Sequence, residues 1–316
     1  MEGRVPVLDF HAHFPVSGAG DPAREHYIAR YGEAKWERVA AWVREDQRAW
    51  RRAWGFPDPE PPGPDAGMAD RWAGEVERHH LVRVVFVTGG DNDRLARIVA
   101  LHPTKFIGFA HHDPFRPDAA AELERAVSVL GLRGYKVIAP LLPGSIADER
   151  LWPVWETAER LGIPVLIHFG PLRYQGIASH PNISPLALGE VARAFPEIPF
   201  VIPHFGCGYP RALLHLAWMC GNVQIDTSGS NEWMRWMPYD LTLEGLFRKF
   251  LETVGPRRIL FGTDSSWFPR GFAVRYLDAQ LRACRNAGCD DDSVRAIFAG
   301  NAARLLRIPL PDAGQS

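Results

Sequence analysis

The sequence contains few cysteines, and none of them has the spacing of a shared structural site. Four occur among 316 residues, without any CxxC pair. This number is too small for a disulfide scaffold in a chain of this length. The four residues are Cys207, Cys220, Cys284 and Cys289. We interpret them as reduced thiols in a cytoplasmic protein and assign none a catalytic role.

Long apolar segments are absent as well. No run reaches the roughly eighteen apolar residues that identify a membrane-spanning helix. The start MEGRVPVLDF passes directly into a strand-like segment, so we expect neither a signal peptide nor a membrane span. The formal net charge of −1 provides no global field that favours nucleic acid or an anionic membrane. A small molecule is therefore the expected partner.

Apolar runs rich in Val, Ile and Phe occur eight times, and longer amphipathic stretches separate them. The candidate strands are 5–11, 82–88, 105–111, 134–139, 163–169, 198–204, 222–228 and 258–264. Runs that are apolar on both faces are typical of parallel strands covered by helices. Eight strand–helix repeats predict an α/β fold, the (β/α)8 or TIM barrel. The alternative, a doubly wound sheet, would need a Gly-rich phosphate turn such as GxGxxG, which is missing.

One segment interrupts this alternation. Residues 14–64 lie between the first strand and its expected helix, carry four tryptophans and end in the proline-rich stretch 57–65. We predict a single domain over 1–310 with a helical insertion at 14–64 and a disordered tail at 311–316. An insertion after strand one emerges at the catalytic face, which favours a lid over a simple packing cap. It is also a candidate surface for a homodimer.

Metal-ligand side chains stand at the ends of four candidate strands. The first strand ends in His11-Ala12-His13, and alternation turns both imidazoles to one side. The fifth, sixth and eighth strands end in His168, His204 and Asp264. Any one of these is more commonly a structural residue, but together they fall on the face where barrel active sites lie. Three histidines and one carboxylate, with an open position for water, predict a catalytic site for one divalent ion.

Several segments resemble those of a known group. VLDFHAHF, VLIHFG, IPHFG, LFGTD and FAGNAARLLRI are similar to motifs of the amidohydrolase superfamily, over His11 to Leu306. The most similar branch is the one that includes aminocarboxymuconate-semialdehyde decarboxylase. The combination of HxH with LFGTD is the specific part of this resemblance.

The resemblance implies roles for the matching residues. His11, His13, His168 and Asp264 would be the metal ligands, with zinc expected and manganese as the alternative. His204 would lie near the metal-bound water, and with Asp264 it would move the proton of that water.

Other polar residues are weaker candidates. Lys136, near the end of strand four, could pair with an acid, bridge two metals in carboxylated form, or bind a substrate carboxylate. Arg173 and Trp267 follow the fifth and eighth strands and are candidate substrate contacts. Asp226 ends strand seven and could fix the tautomer of a ligand histidine.

Three functions fit this site. Metal-dependent hydrolysis of an amide, lactone or related bond comes first, and non-oxidative decarboxylation of an unsaturated or aromatic acid comes second. The same ligands serve both reactions, so the motifs do not choose between them. The third function is metal binding without catalysis, although a structural site is usually closed by four protein ligands.

Overall fold

The barrel strands follow one another in chain order. The computed structural model describes residues 5–17, 22–172 and 180–310. Its strands are β1 (Val7–His13), β2 (Leu81–Thr88), β3 (Phe106–Gly108), β4 (Ala110–His111), β5 (Tyr135–Ile138), β6 (Val165–His168), β7 (Phe200–Ile202), β8 (Val223–Asp226) and β9 (Ile259–Leu260). All pairings between them are parallel, in two runs, β1–β3 and β4–β9.

Hydrogen bonds join the two runs into one closed barrel. Phe109 separates β3 from β4, and its N–H donates to Phe86 O at 3.0 Å, so these two pieces occupy a single strand position. On the other side, Phe10 N donates to Phe261 O at 3.1 Å, and Ala12 forms a parallel bridge with Ser265. The predicted eight-stranded (β/α)8 barrel is therefore confirmed, and several strands are shorter than the apolar runs suggested.

Twelve α-helices accompany the strands in the described residues, and the first three of them precede β2. They are α1 (Pro22–Tyr31), α2 (Glu33–Trp54), α3 (Asp65–Arg78), α4 (Asn92–Leu101), α5 (Ala119–Ser128), α6 (Trp152–Leu161), α7 (Gly189–Ala194), α8 (Pro210–Met219), α9 (Leu243–Val254), α10 (Val274–Asn286), α11 (Asp291–Arg295) and α12 (Asn301–Leu306). Among the described residues, none of these helices combines the length and apolarity needed to cross a membrane.

The insertion contains α1 and α2, and its tryptophans have different environments. Trp36 is buried, Trp42 is 68% exposed, and Trp50 lines a cavity at the barrel mouth. Trp54 Nε1 donates to Glu232 Oε1 at 3.0 Å, which ties the end of α2 to the segment that follows β8. These contacts support the lid interpretation, while the domain boundaries and the homodimer stay predictions. The predicted tail lies outside the described residues.

A register shift in β1 decides which of its side chains face the barrel interior. Leu8 and Phe10 pack with Leu166 and other interior residues, which form an apolar floor. Strict alternation would then also turn Ala12 inward and the histidines outward. The pairing of β1 with β2 is irregular at three points, however, and two of them lie between Asp9 and His13. This irregular pairing accompanies the placement of the imidazoles above the floor, at the carboxyl ends of the strands.

Candidate metal centre and active site

Three predicted ligands converge at the mouth of the barrel. The ligand atoms of His11, His13 and Asp264 all lie within 4.8 Å of one another. Asp264 Oδ1 is 3.0 Å from His13 Nε2 and 3.8 Å from His11 Nε2. Two imidazole nitrogens and a carboxylate oxygen at such separations form a donor set that suits zinc or another divalent transition metal.

The backbone places Asp264 opposite β1. Asp264 follows β9 with a φ of 57°, in the left-handed region that a residue other than glycine seldom adopts. Its N–H donates to His11 O at 2.7 Å, which fixes this turn against the first strand. Such a conformation costs on the order of 1–3 kcal/mol and is retained where the surrounding structure holds it. The turn is what aims the carboxylate at the two histidines.

Hydrogen bonds from Nδ1 orient both histidines of β1. His11 Nδ1 lies 2.6 Å from Asp226 Oδ2 and 3.1 Å from Ser228 Oγ. His13 Nδ1 lies 2.6 Å from Thr88 Oγ1. Asp226 is completely buried, so the short contact to its carboxylate places the proton of His11 on Nδ1. In each ring, Nε2 is left facing the other members of the cluster.

His168 and His204 extend the cluster along one side. The ring of His204 lies 5.2 Å from that of His11 and 5.2 Å from that of His168. His204 Nδ1 lies 3.0 Å from Ser228 O, so Nε2 is the nitrogen left for other contacts. His168 ends β6 as predicted, but it stands outside the group of three that shares the 4.8 Å separation. His168 is thus not part of the three-residue group, and it stays a candidate fourth ligand.

Two buried nitrogen atoms show that the cluster suits a metal ion. Among the described residues, neither His11 Nε2 nor His168 Nε2 has a hydrogen-bond partner, although both atoms are buried. Leaving such a polar atom unpaired is costly unless a ligand occupies it. The donor set and these two atoms together fit a divalent ion, while nothing in them selects zinc over manganese.

Burial sets the protonation states that metal binding needs. It lowers the pKa of His11 and of His168 well below the usual range, with nearby cationic groups lowering it further. Both imidazoles are therefore neutral near pH 7, the form that binds a metal. Burial acts in the opposite direction on Asp264, but the hydrogen bond from His13 and the charge of His204 hold its pKa well below the usual range. Its carboxylate is ionised.

Lys136 lies beneath the cluster on β5. Its side chain is buried, and burial lowers its pKa to about 8, while the charges of Asp264 and Asp226 raise it. In the part of the chain that the structure describes, no carboxylate lies within salt-bridge distance of its ammonium group. The expected direct pairing with an acid is therefore not found among the described residues. The other two hypotheses, a carboxylated bridge and a substrate contact, stay open.

The loop predictions met different outcomes. Trp267 lines the cavity, and its contact with substrate stays a prediction. Arg173 lies outside the described residues. His180 follows the same strand as Arg173, and its Nε2 lies 2.9 Å from Leu142 O, a contact that holds the loop in place.

A cavity of about 690 Å³ opens from the cluster towards α2. This volume is in the range of sites for small organic ligands. His168, His204 and Asp264 line one part of it, and Trp50, Trp267 and Arg270 line another. The predicted lid includes Trp50 but did not single it out as a wall residue, and Arg270 was not among the candidate residues. The signal for Arg270 was its place six residues after Asp264, in a loop at the catalytic face.

Asp226 provides a test of how His11 is held. We expect Asp226→Asn to weaken Mn²⁺ binding about 10- to 100-fold, because an amide no longer fixes the His11 tautomer as a carboxylate does. Equilibrium dialysis with Mn²⁺ measures this loss. Asp113→Asn serves as the control, since Asp113 follows β4 and caps the Phe115 N–H instead. Equal affinity of wild type and Asp226→Asn would contradict the orienting role.

Comparison with known proteins identifies the family. The amidohydrolase family model matches residues 8–308. The chain belongs to the amidohydrolase family. This membership confirms the resemblance seen in the motifs.

Individual relatives of this chain catalyse more than one reaction. It is 29% identical over 264 residues to a γ-resorcylate decarboxylase from Polaromonas sp. strain JS666, covering 69% of this chain and 75% of the relative. It is 26% identical over 244 residues to a 2-keto-4-carboxy-3-hexenedioate hydratase from Sphingobium sp. strain SYK-6, covering 68% and 70%.

Solved structures agree on the fold. A dihydroxybenzoic acid decarboxylase from Polaromonas sp. JS666, with bound manganese and the inhibitor 2-nitroresorcinol, has a TM-score of 0.61 and 19% identity, covering 98% of this chain and 99% of that one. The family and the curated relatives support an enzyme. They give no specific support for hydrolysis, which sequence analysis placed first.

Proposed function

We propose that this protein is a metal-dependent decarboxylase of an aromatic or unsaturated carboxylic acid. The observation that carries the proposal is the cavity in which Asp264, a member of the three-residue ligand group, lies with His168 and His204 opposite an aromatic and cationic wall. Planar acids suit such a wall, since Trp50 and Trp267 offer ring faces and Arg270 offers positive charge. The decarboxylase relative supports the same chemistry.

The residues of the cluster divide into holding and proton-transfer roles. His11, His13 and Asp264 would hold the ion, with His168 as the candidate fourth ligand. The bound ion supplies positive charge to oxygen atoms of the substrate. Asp226 and Ser228 keep His11 in the tautomer that leaves Nε2 free.

His204 is the proposed proton donor. Its Nδ1 contacts Ser228 O, and its ring lines the cavity, so a proton on Nε2 can reach the substrate. The bond between the carboxyl carbon and the adjacent carbon breaks, and the electron pair stays on the adjacent carbon. The proton from His204 then forms the new C–H bond as neutral CO₂ leaves. A proton taken up from solvent restores His204, so each turnover consumes one proton.

A substrate panel tests the reaction type. Mn²⁺-loaded protein is incubated with hydroxybenzoates and benzenedicarboxylates, and separately with lactones and amides. Release of CO₂ is followed with a coupled assay, and hydrolysis is followed by chromatography of the products. We expect CO₂ from at least one acid and no hydrolysis. Hydrolysis of a lactone or amide, without CO₂ from any acid, would return the assignment to a hydrolase.

A further inference from the structure

Three arginines line the cavity, and two of them are neutralised by carboxylates. Arg51 Nε donates to Asp58 Oδ1 at 2.9 Å, and Arg235 Nη2 donates to Asp46 Oδ1 at 3.2 Å. Arg270 has no carboxylate within salt-bridge distance among the residues that the structure describes. Of the three cavity arginines, Arg270 is therefore the one that forms no salt bridge with a described residue.

The surroundings of Arg270 hold its guanidinium in place. The guanidinium carbon lies 4.7 Å from the ring centre of Trp267, 5.3 Å from that of Phe56 and 5.9 Å from that of Trp50. Nη2 donates to Asp264 O at 3.2 Å, while Nε is buried and has no partner. Aromatic rings orient such a group but do not cancel its charge. An unpaired donor on a partly buried cation favours an anionic ligand.

We propose that Arg270 binds a second carboxylate of the substrate, one that remains in the product. This inference rests on the proposed decarboxylation and names its substrate class, an aromatic or unsaturated dicarboxylic acid. A planar carboxylate matches the paired donors of a guanidinium. Arg270 touches the carbonyl of Asp264, a member of the ligand group, so the two carboxylates lie on one ring or one short chain.

The chemistry of the step assigns the retained carboxylate to Arg270. The carboxylate that leaves becomes neutral CO₂, so its charge disappears along the reaction. A cation paired with that group would stabilise the ground state more than the transition state and would slow the reaction. A cation paired with a group that keeps its charge binds both states equally and does not carry this penalty.

The test is a binding measurement that needs no turnover. Benzoate and isophthalate are titrated calorimetrically into Mn²⁺-loaded protein. We expect isophthalate to bind at least about tenfold more tightly than benzoate, because only isophthalate reaches Arg270 and the ligand group together. In Arg270→Met this preference disappears, while the affinity for benzoate changes less than about threefold.

Two further variants make the test specific. Arg235→Met removes a cavity arginine that is already paired, and it is expected to keep the preference for isophthalate. Arg270→Lys keeps the charge without the planar fork, and it is expected to lose about three- to tenfold in isophthalate affinity. This variant also covers the case in which Arg270→Met does not fold, as judged by circular dichroism.

Three results would overturn the inference. They are unchanged isophthalate affinity in Arg270→Met, unchanged isophthalate affinity in Arg270→Lys, and an equal loss for benzoate and isophthalate in Arg270→Met. The last result would mean that Arg270 takes the single carboxylate. Failure of the proposed reaction is separate, since a preference for isophthalate that depends on Arg270 would survive even if no acid released CO₂.

Discussion

His204→Asn is expected to lose about 100-fold or more in kcat while keeping its metal, because general acid–base catalysis typically contributes 10²–10⁴-fold. The side chain lines the cavity beside the ligand group but does not belong to it. Steady-state kinetics on the acid that releases CO₂ fastest, together with Mn²⁺ content by mass spectrometry, measure both effects. Asparagine can still contact Ser228 O, so the fold around the site is preserved.

The pattern of losses distinguishes proton donation from a structural role. If His204 supplies the proton, kcat falls, KM changes little and the metal content stays at that of wild type. Loss of metal in parallel with activity would instead make His204 a ligand. Unchanged turnover would remove His204 from the chemistry altogether.

His11→Ala is expected to lose metal and activity together. We expect Mn²⁺ affinity to fall by more than about 100-fold, since loss of an orienting partner alone typically costs 10–100-fold and this change removes the ligand itself. Equilibrium dialysis and the CO₂ assay measure the two losses. Mn²⁺ affinity and activity are both expected to fall, because the ion and the substrate meet at the same cluster.

A second histidine variant provides the control for His11→Ala. His215→Ala removes an exposed histidine on α8, far along the chain from any candidate ligand, and should retain wild-type metal and turnover. Full metal content in His11→Ala would contradict the ligand assignment. Equal metal loss in His215→Ala would show that Mn²⁺ binds the surface of the protein.

The order of the strands could be predicted because each is a short apolar run with a polar end. That pattern predicts His11, His13 and Asp264 on one face, and the structure brings their ligand atoms together. The ligands do not select a reaction, since the same donor set serves hydrolysis and decarboxylation. This is why hydrolysis came first from the sequence, whereas decarboxylation is better supported by the relatives.

Other features depend on contacts that the sequence does not display. Period-two alternation predicted that His11 and His13 share one side, but it could not show that the pairing of β1 with β2 is irregular beyond Asp9. Counting arginines could not show that Arg270 lacks the carboxylate partner that its neighbours in the cavity have. Both features arise from tertiary packing, as register and pairing are set by distant segments.

The position of the metal tests the central claim most directly. Crystals of the Mn²⁺-loaded protein, measured near the manganese absorption edge, locate the ion by its anomalous scattering. We predict one peak at about 2.0–2.2 Å from His11 Nε2, His13 Nε2 and an Asp264 carboxylate oxygen, with His168 Nε2 as the expected fourth ligand. A protein that binds Mn²⁺ stoichiometrically, yet shows its peak away from these side chains, would contradict the account.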